Sequence, residues 1–147
     1  MLYTPMTKKA LRLCFQVHKD QVDKSGMPYV FHPFHVAEQM ATEEEICVAL
    51  LHDVMEDGAI TADDLARAGM SAPVIQALEL LTRKPGMPYL DYVRNLAGNP
   101  LARAVKVADL HHNADLSRLD AVTPADRARA QKYAQALEIL QAAQAAE

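Results

Sequence analysis

The chain has 147 residues, half of them hydrophobic, with 15 basic and 19 acidic side chains and a formal net charge of −4. That length is enough for one domain, residues 1–147, with a real hydrophobic core. No apolar run approaches the roughly 18–20 residues that cross a bilayer, and no long basic run marks a nucleic-acid backbone as partner.

Met1-Leu2-Tyr3-Thr4-Pro5 lacks the charged and apolar regions of a signal peptide. Cys14 and Cys47 lie inside apolar helical patterns, framed neither as a disulfide pair nor as a CxxC site. A cytoplasmic protein is expected. A small anionic ligand stays open despite the acidic balance, because a bound cation reverses the local sign of a site.

Helix signals follow one another along the chain. Lys24 to Pro33 is rich in glycine and proline and reads as a loop. Thr42-Glu43-Glu44-Glu45 reads as a capping box, a hydroxyl for the first amides and a carboxylate three residues on. The apolar set Ile46, Val48, Ala49, Leu50, Leu51 follows it. Thr61-Ala62-Asp63-Asp64 opens a short helix that stops near Gly69, and Lys84 to Pro88 forms a second loop. Leu78 and Leu81, then Tyr89, Tyr92, Val93 and Leu96, recur at helical spacing. Asn99-Pro100 and Thr123-Pro124 each put a cap residue before a proline at the first helical position. From about 123 to 146 the Ala-, Gln- and Leu-rich sequence predicts one long helix, packed or dimer-forming, so a homo-oligomer is possible. No stretch alternates with the period of a strand, and the fold class is all-α.

Four polar stretches interrupt this scaffold: 18–33, 52–57, 81–84 and 106–113, with Arg118 beyond. His52 and Asp53 end an apolar half-helix and approach the core, where an unpaired charge is costly, so Asp53 wants a cation, a hydrogen-bond network or a metal. Glu56 lies four residues from His52 and three from Asp53, so it can face the same cleft. Two N/O ligands beside a free carboxylate make a metal–water layout, in which the ion acidifies water and the carboxylate takes its proton. Asp109 likewise follows an apolar run, with Lys106 and Asn113 nearly one turn away on either side. His32 precedes Pro33, read as a helix start, and stands at a loop-to-helix junction. Mixed imidazole and carboxylate donors suit Mn²⁺, Fe²⁺ or Zn²⁺ better than Ca²⁺. His18, His35, His111 and His112 are equally readable as ordinary surface or core histidines.

Five motifs stand in order: His18-x-x-Gln21, Lys24-Ser25-Gly26-x-Pro28-Tyr29-x-x-His32-Pro33, His52-Asp53-x-x-Glu56-Asp57, Leu81-Thr82-Arg83, and Lys106-x-Ala108-Asp109-Leu110-x-His112-Asn113. Together, over residues 18–118, they resemble the hydrolase domain of RelA/SpoT homologues, and the chain resembles the small free-standing alarmone hydrolases in size. The resemblance implies an HD-domain helical bundle with one Mn²⁺ held by His32, His52, Asp53 and Asp109. It implies that Glu56 and Asp57 orient or activate the attacking water. It also implies that Lys24 and Ser25 line the nucleotide pocket and that Asn113 lies near the nucleoside. The implied activity is that of a metal-dependent phosphohydrolase removing the 3′-pyrophosphate of guanosine 3′,5′-bis-pyrophosphate (ppGpp), an alarmone of the stringent response. At this length no synthetase domain is expected beside it. The position before Lys24 is usually arginine in guanine-binding members and is Asp23 here, which cannot stack on a base and would repel phosphates. That departure keeps an alternative in view: an HD nucleotidase for another nucleotide, such as a pyridine or adenine nucleotide phosphate, or a non-catalytic nucleotide-binding module.

Overall fold

A computed structural model describes residues 1–56 and 59–147. Among them the helices are α1 (Pro5–His18), α2 (Phe31–Glu38), α3 (Glu43–Leu51), α4 (Ala62–Arg67), α5 (Ala72–Leu81), α6 (Tyr89–Leu96), α7 (Pro100–Ala114) and α8 (Pro124–Ala145), with a 3₁₀ turn at Leu116–Arg118. No strand occurs among the described residues; a lone bridge pairs Val22 with Pro28. No helix is long and apolar enough to cross a membrane.

The caps explain where these helices begin. Thr42 accepts the Glu45 amide and Glu45 answers the Thr42 amide, and Thr61 with Asp64 and Thr123 with Asp126 repeat the device. Asn99 accepts the Ala102 amide ahead of Pro100. Thr4 and Thr7 make a further capping box at the head of α1, where Thr4-Pro5 repeats the same cap-proline signature. Gly69, at φ 96°, ends the α4 segment in a backbone conformation closed to most side chains.

Helix α3 organises the interior. Ile46 to Leu51 are all fully buried, and a helix apolar all round has no face to give to water. It packs against α1, α2, α5 and α7, while α8 lies on α6 and α7 through Ala136 and Leu140. The core cluster runs on through Leu65, Leu78, Leu96, Val105 and Leu110, with Cys14 and Cys47 as buried thiols inside it.

One boundary differs from the sequence reading. Helix α2 starts at Phe31, so His32 and Pro33 both lie in its first turn rather than Pro33 beginning it. The amides of Phe31 and His32 bond to the carbonyls of Pro28 and Tyr29, closing a turn that leads straight into the helix. Proline fits anywhere in a first turn, because those amides have no intrahelical partner to lose.

Candidate metal centre and adjoining cleft

Three helices end or turn at one point. Helix α2 brings His32, the C-terminus of α3 brings His52, and α7 brings Asp109. All three are about 4% exposed, and each offers a ligand atom within 4.8 Å of the others. His32 Nε2 lies 2.8 Å from Asp109 Oδ1, and His52 Nε2 lies 3.5 Å from the same oxygen. Asp53 joins through His52, its Oδ2 being 3.2 Å from that Nε2, and the same oxygen accepts the Tyr29 hydroxyl.

The donor chemistry fits a divalent cation. His52 donates Nδ1–H to the Ala49 carbonyl at 2.6 Å, which turns Nε2 toward the two carboxylates. That Nε2 is buried without a well-directed hydrogen bond, although both carboxylates are within ion-pair distance. A ring nitrogen between a buried carboxylate, Asp109, and a half-buried one, Asp53, calls for a positive charge, whether a proton or a metal. The electrostatics agree. Burial alone would lower the pKa of His52, yet Asp53 and Asp109 hold it well above the usual histidine value. Burial would likewise raise Asp109, but Lys106, His32 and His52 hold it well below the ordinary carboxylate range. Lys106 Nζ reaches Asp109 Oδ2 at 2.8 Å, and Asn113 Nδ2 donates to Oδ1 at 2.9 Å.

Glu56 stands beside this group, lining a small pocket with His18, Gln21, Tyr29 and Asp53. Its side chain has no ion pair among the described residues, and burial with the nearby Asp53 charge raises its pKa above the usual glutamate value. Asp57, the other residue expected to activate water, lies outside the described residues.

A cleft of about 360 Å³ opens next to the group and shares Gln21 and Tyr29 with the Glu56 pocket. Lys24, Ser25 and Asn113, the three residues expected to line a nucleotide pocket, all line it. So do Arg118, Arg129 and Tyr133, none of which carries a motif that assigns them a site. Arg118 pairs with Asp23 and Arg129 with Asp126, whereas Lys24 has no ion-pair partner among the described residues.

Asp23 turns out to be a builder of the loop. Its Oδ1 accepts the Ser25 amide at 2.9 Å, the Ser25 hydroxyl at 2.7 Å and the Met27 amide at 3.0 Å, while Oδ2 faces Arg118 at 3.4 Å. With Gly26 at φ 81°, this ties residues 23–27 into a tight turn. Partial burial works against the charge, but the Ser25 and Met27 bonds and Arg118 hold the Asp23 pKa below the usual carboxylate value. The carboxylate expected to repel phosphates is thus already engaged by donors of its own loop and by a guanidinium.

No protein-family model matches the chain. The GTP pyrophosphokinase of Myxococcus xanthus is 42% identical over 62 residues, which cover 40% of this chain and 8% of that protein. The guanosine-3′,5′-bis(diphosphate) 3′-pyrophosphohydrolase of Danio rerio is 29% identical over 129 residues, 78% of this chain and 71% of that one. The chain therefore spans under a tenth of the bacterial relative and most of the animal one. Among solved structures, a metazoan orthologue of SpoT that hydrolyses ppGpp superimposes with a TM-score of 0.77 over 95% of this chain and 88% of that one, at 22% identity. This chain has the helical HD-hydrolase fold of RelA/SpoT homologues. The resemblance carried by the five motifs extends to the backbone around them, and the HD fold accounts for His32, His52 and Asp109 meeting across 77 residues of sequence.

If Asp23 builds the loop of this HD fold, Asp23→Ala removes the acceptor shared by two amides and a hydroxyl. The Ser25 and Met27 amides should then exchange with solvent about tenfold faster or more, read by NMR hydrogen exchange. Unchanged protection at both would show that the turn holds without the carboxylate.

Proposed function

We propose that the protein is a metal-dependent phosphohydrolase that removes the 3′-pyrophosphate from guanosine 3′,5′-bis-pyrophosphate, acting in the cytoplasm with Mn²⁺ as its ion. The observation that carries this reading is a buried group of His32, His52 and Asp109 beside a cleft lined by Lys24, Ser25 and Asn113. The Danio rerio relative carries that activity in its name, and the superimposed SpoT orthologue is described as a ppGpp hydrolase.

In this reading His32, His52, Asp53 and Asp109 are the ligands. A divalent ion there supplies Lewis acidity to the phosphoryl group and lowers the pKa of water. The chain supplies the rest. Lys106 neutralises the outer oxygen of Asp109 and Asn113 fixes its inner one, so that carboxylate keeps one orientation. The Tyr29 hydroxyl does the same for Asp53. Lys24, the cation of the cleft free of an ion pair among the described residues, meets the phosphates. Arg118, held between the His112 carbonyl and Asp23, presents a guanidinium plane at the mouth of the cleft, where position 23 itself offers none.

Glu56 is the general base, with a pKa raised toward the operating range by burial and by Asp53. Water adds to the phosphorus next to the ribose, and the bond from that phosphorus to the 3′ oxygen breaks. Glu56 takes the proton of the water, and the leaving oxygen takes one from solvent. Asp57 assists in orienting that water.

The test is product analysis with Mn²⁺-loaded protein. Guanosine 3′,5′-bis-pyrophosphate should yield the 5′-diphosphate and inorganic pyrophosphate. Glu56→Gln should bind Mn²⁺ as the wild type does and turn over about 10²-fold more slowly or worse. Release of orthophosphate from a pyridine or adenine nucleotide, with the guanine substrate untouched, would overturn the substrate assignment. Full turnover by Glu56→Gln would overturn its role as base.

A further inference from the structure

We propose that His112 is a positioning residue: its ring accepts a hydrogen bond from His32 and so fixes the tautomer in which His32 offers Nε2 to the metal. The inference rests on the ligand role proposed for His32 and concerns how that ring is held.

The geometry begins on α7. His112 follows Asp109 by three residues, so both project from one face of the helix. The helix that supplies one ligand thus also supplies the ring behind another. His32 Nδ1 and His112 Nδ1 lie 2.6 Å apart, and the two rings are nearly parallel, 11° between planes and 4.9 Å between centroids. Two ring nitrogens at that distance share one proton, so one donates and the other accepts. His32 Nε2 points the other way, toward Asp109 Oδ1. When that nitrogen gives its lone pair to a cation, the proton of a neutral His32 ring resides on Nδ1, and His112 Nδ1 is the acceptor.

His112 is itself held in place. His35 stacks on its ring, with centroids 4.2 Å apart and 26° between planes. The His112 carbonyl accepts Arg118 Nη1 at 2.8 Å, which pins the end of α7 to the 3₁₀ turn. The ring stands in the wall of a second cleft of about 640 Å³, which shares Asp115 and Arg118 with the first, and His112 does not itself line the first. Among the described residues its one polar ring contact is with His32, through which it acts on the site.

His52 offers an internal comparison. Its Nδ1 is committed to a backbone carbonyl, Ala49, which no substitution removes. His32 has its Nδ1 committed to a side chain, so its support can be deleted without touching the ligand. Outer partners of this kind carry about 10–100-fold in metal affinity.

The experiment measures the Mn²⁺ dissociation constant of chelator-treated protein, following free Mn²⁺ by its EPR signal. His112→Phe keeps a ring against His35 and removes the acceptor; it should weaken binding about 10–100-fold. His112→Asn sets a carbonyl oxygen near the place of Nδ1 and should stay within about threefold of wild type. His112→Leu, the shape of asparagine without an acceptor, should weaken binding as phenylalanine does, and serves in its place if the phenylalanine variant does not fold. Thermal melting of each metal-free variant monitors the fold. Wild-type affinity in the phenylalanine or leucine variant would overturn the proposal. So would an asparagine variant as weak as the leucine one, because then the ring matters and the acceptor does not. No Mn²⁺ binding by wild type would overturn the ligand role of His32 and this inference with it, whereas equal binding by all variants overturns this inference alone.

Discussion

A carboxylate in the interior of a helical protein is expensive, and Asp109 shows how this chain meets that cost. It is about 4% exposed, at the point where the apolar part of α7 gives way to its polar end. Around it stand His32 from α2, His52 from the end of α3, and Lys106 and Asn113 from one turn to either side on α7. Each of these groups is a donor or a cation, so the helices that carry them are drawn to the same point. The requirement that Asp109 be surrounded couples the register of α2, α3 and α7. Removing one partner would leave a buried charge short of compensation, which is far more costly than an exposed pair lost.

The same arrangement gives the site its chemical bias. Lys106 covers only one oxygen of Asp109, and the other faces two imidazole nitrogens. Asp53 adds a second carboxylate beside His52 and is steadied by the Tyr29 hydroxyl. The site thus concentrates negative charge and lone pairs around a buried Asp109, with the half-buried Asp53 and the exposed Glu56 at its edge. Such a group suits a small hard-to-borderline cation, and in the proposed reading Glu56 is the base beside it. The cleft next to it is mixed in sign: its arginines are paired with aspartates, and Lys24 has no ion-pair partner among the described residues.

What was legible in the sequence follows from range. Caps act over three residues: the box at Thr42 stands where the sequence puts it, and the helix starts read at Thr61 and Thr123 are closed by boxes of the same kind. The run from Ile46 to Leu51 is apolar without a polar face, which marks a central helix. The all-α class follows from the same periodicities. By contrast, His32 and Asp109 are 77 residues apart and Tyr29 and Asp53 are 24 apart; no local pattern brings either pair together. Only the order of the five motifs, through their resemblance to RelA/SpoT homologues, pointed to that meeting. Asp23 has a role that its place in the sequence does not show. Beside the charge that its residue type implies, its short side chain closes a turn onto the amides of Ser25 and Met27 and meets Arg118, 95 residues away. His112 stands in the fifth motif with no role that the sequence assigns it, and gains one from a ring on another helix.

The central claim is that four side chains from three helical segments hold one divalent ion. The most direct measurement is a crystal structure of protein soaked with Mn²⁺, with the ion located by its anomalous scattering. The account predicts one strong peak bonded to His32, His52, Asp53 and Asp109 at roughly 2.0–2.3 Å, with the His52 Nδ1 bond to Ala49 retained. A peak that excludes Asp109, or one placed elsewhere while His32 Nε2 stays on that carboxylate, would contradict it.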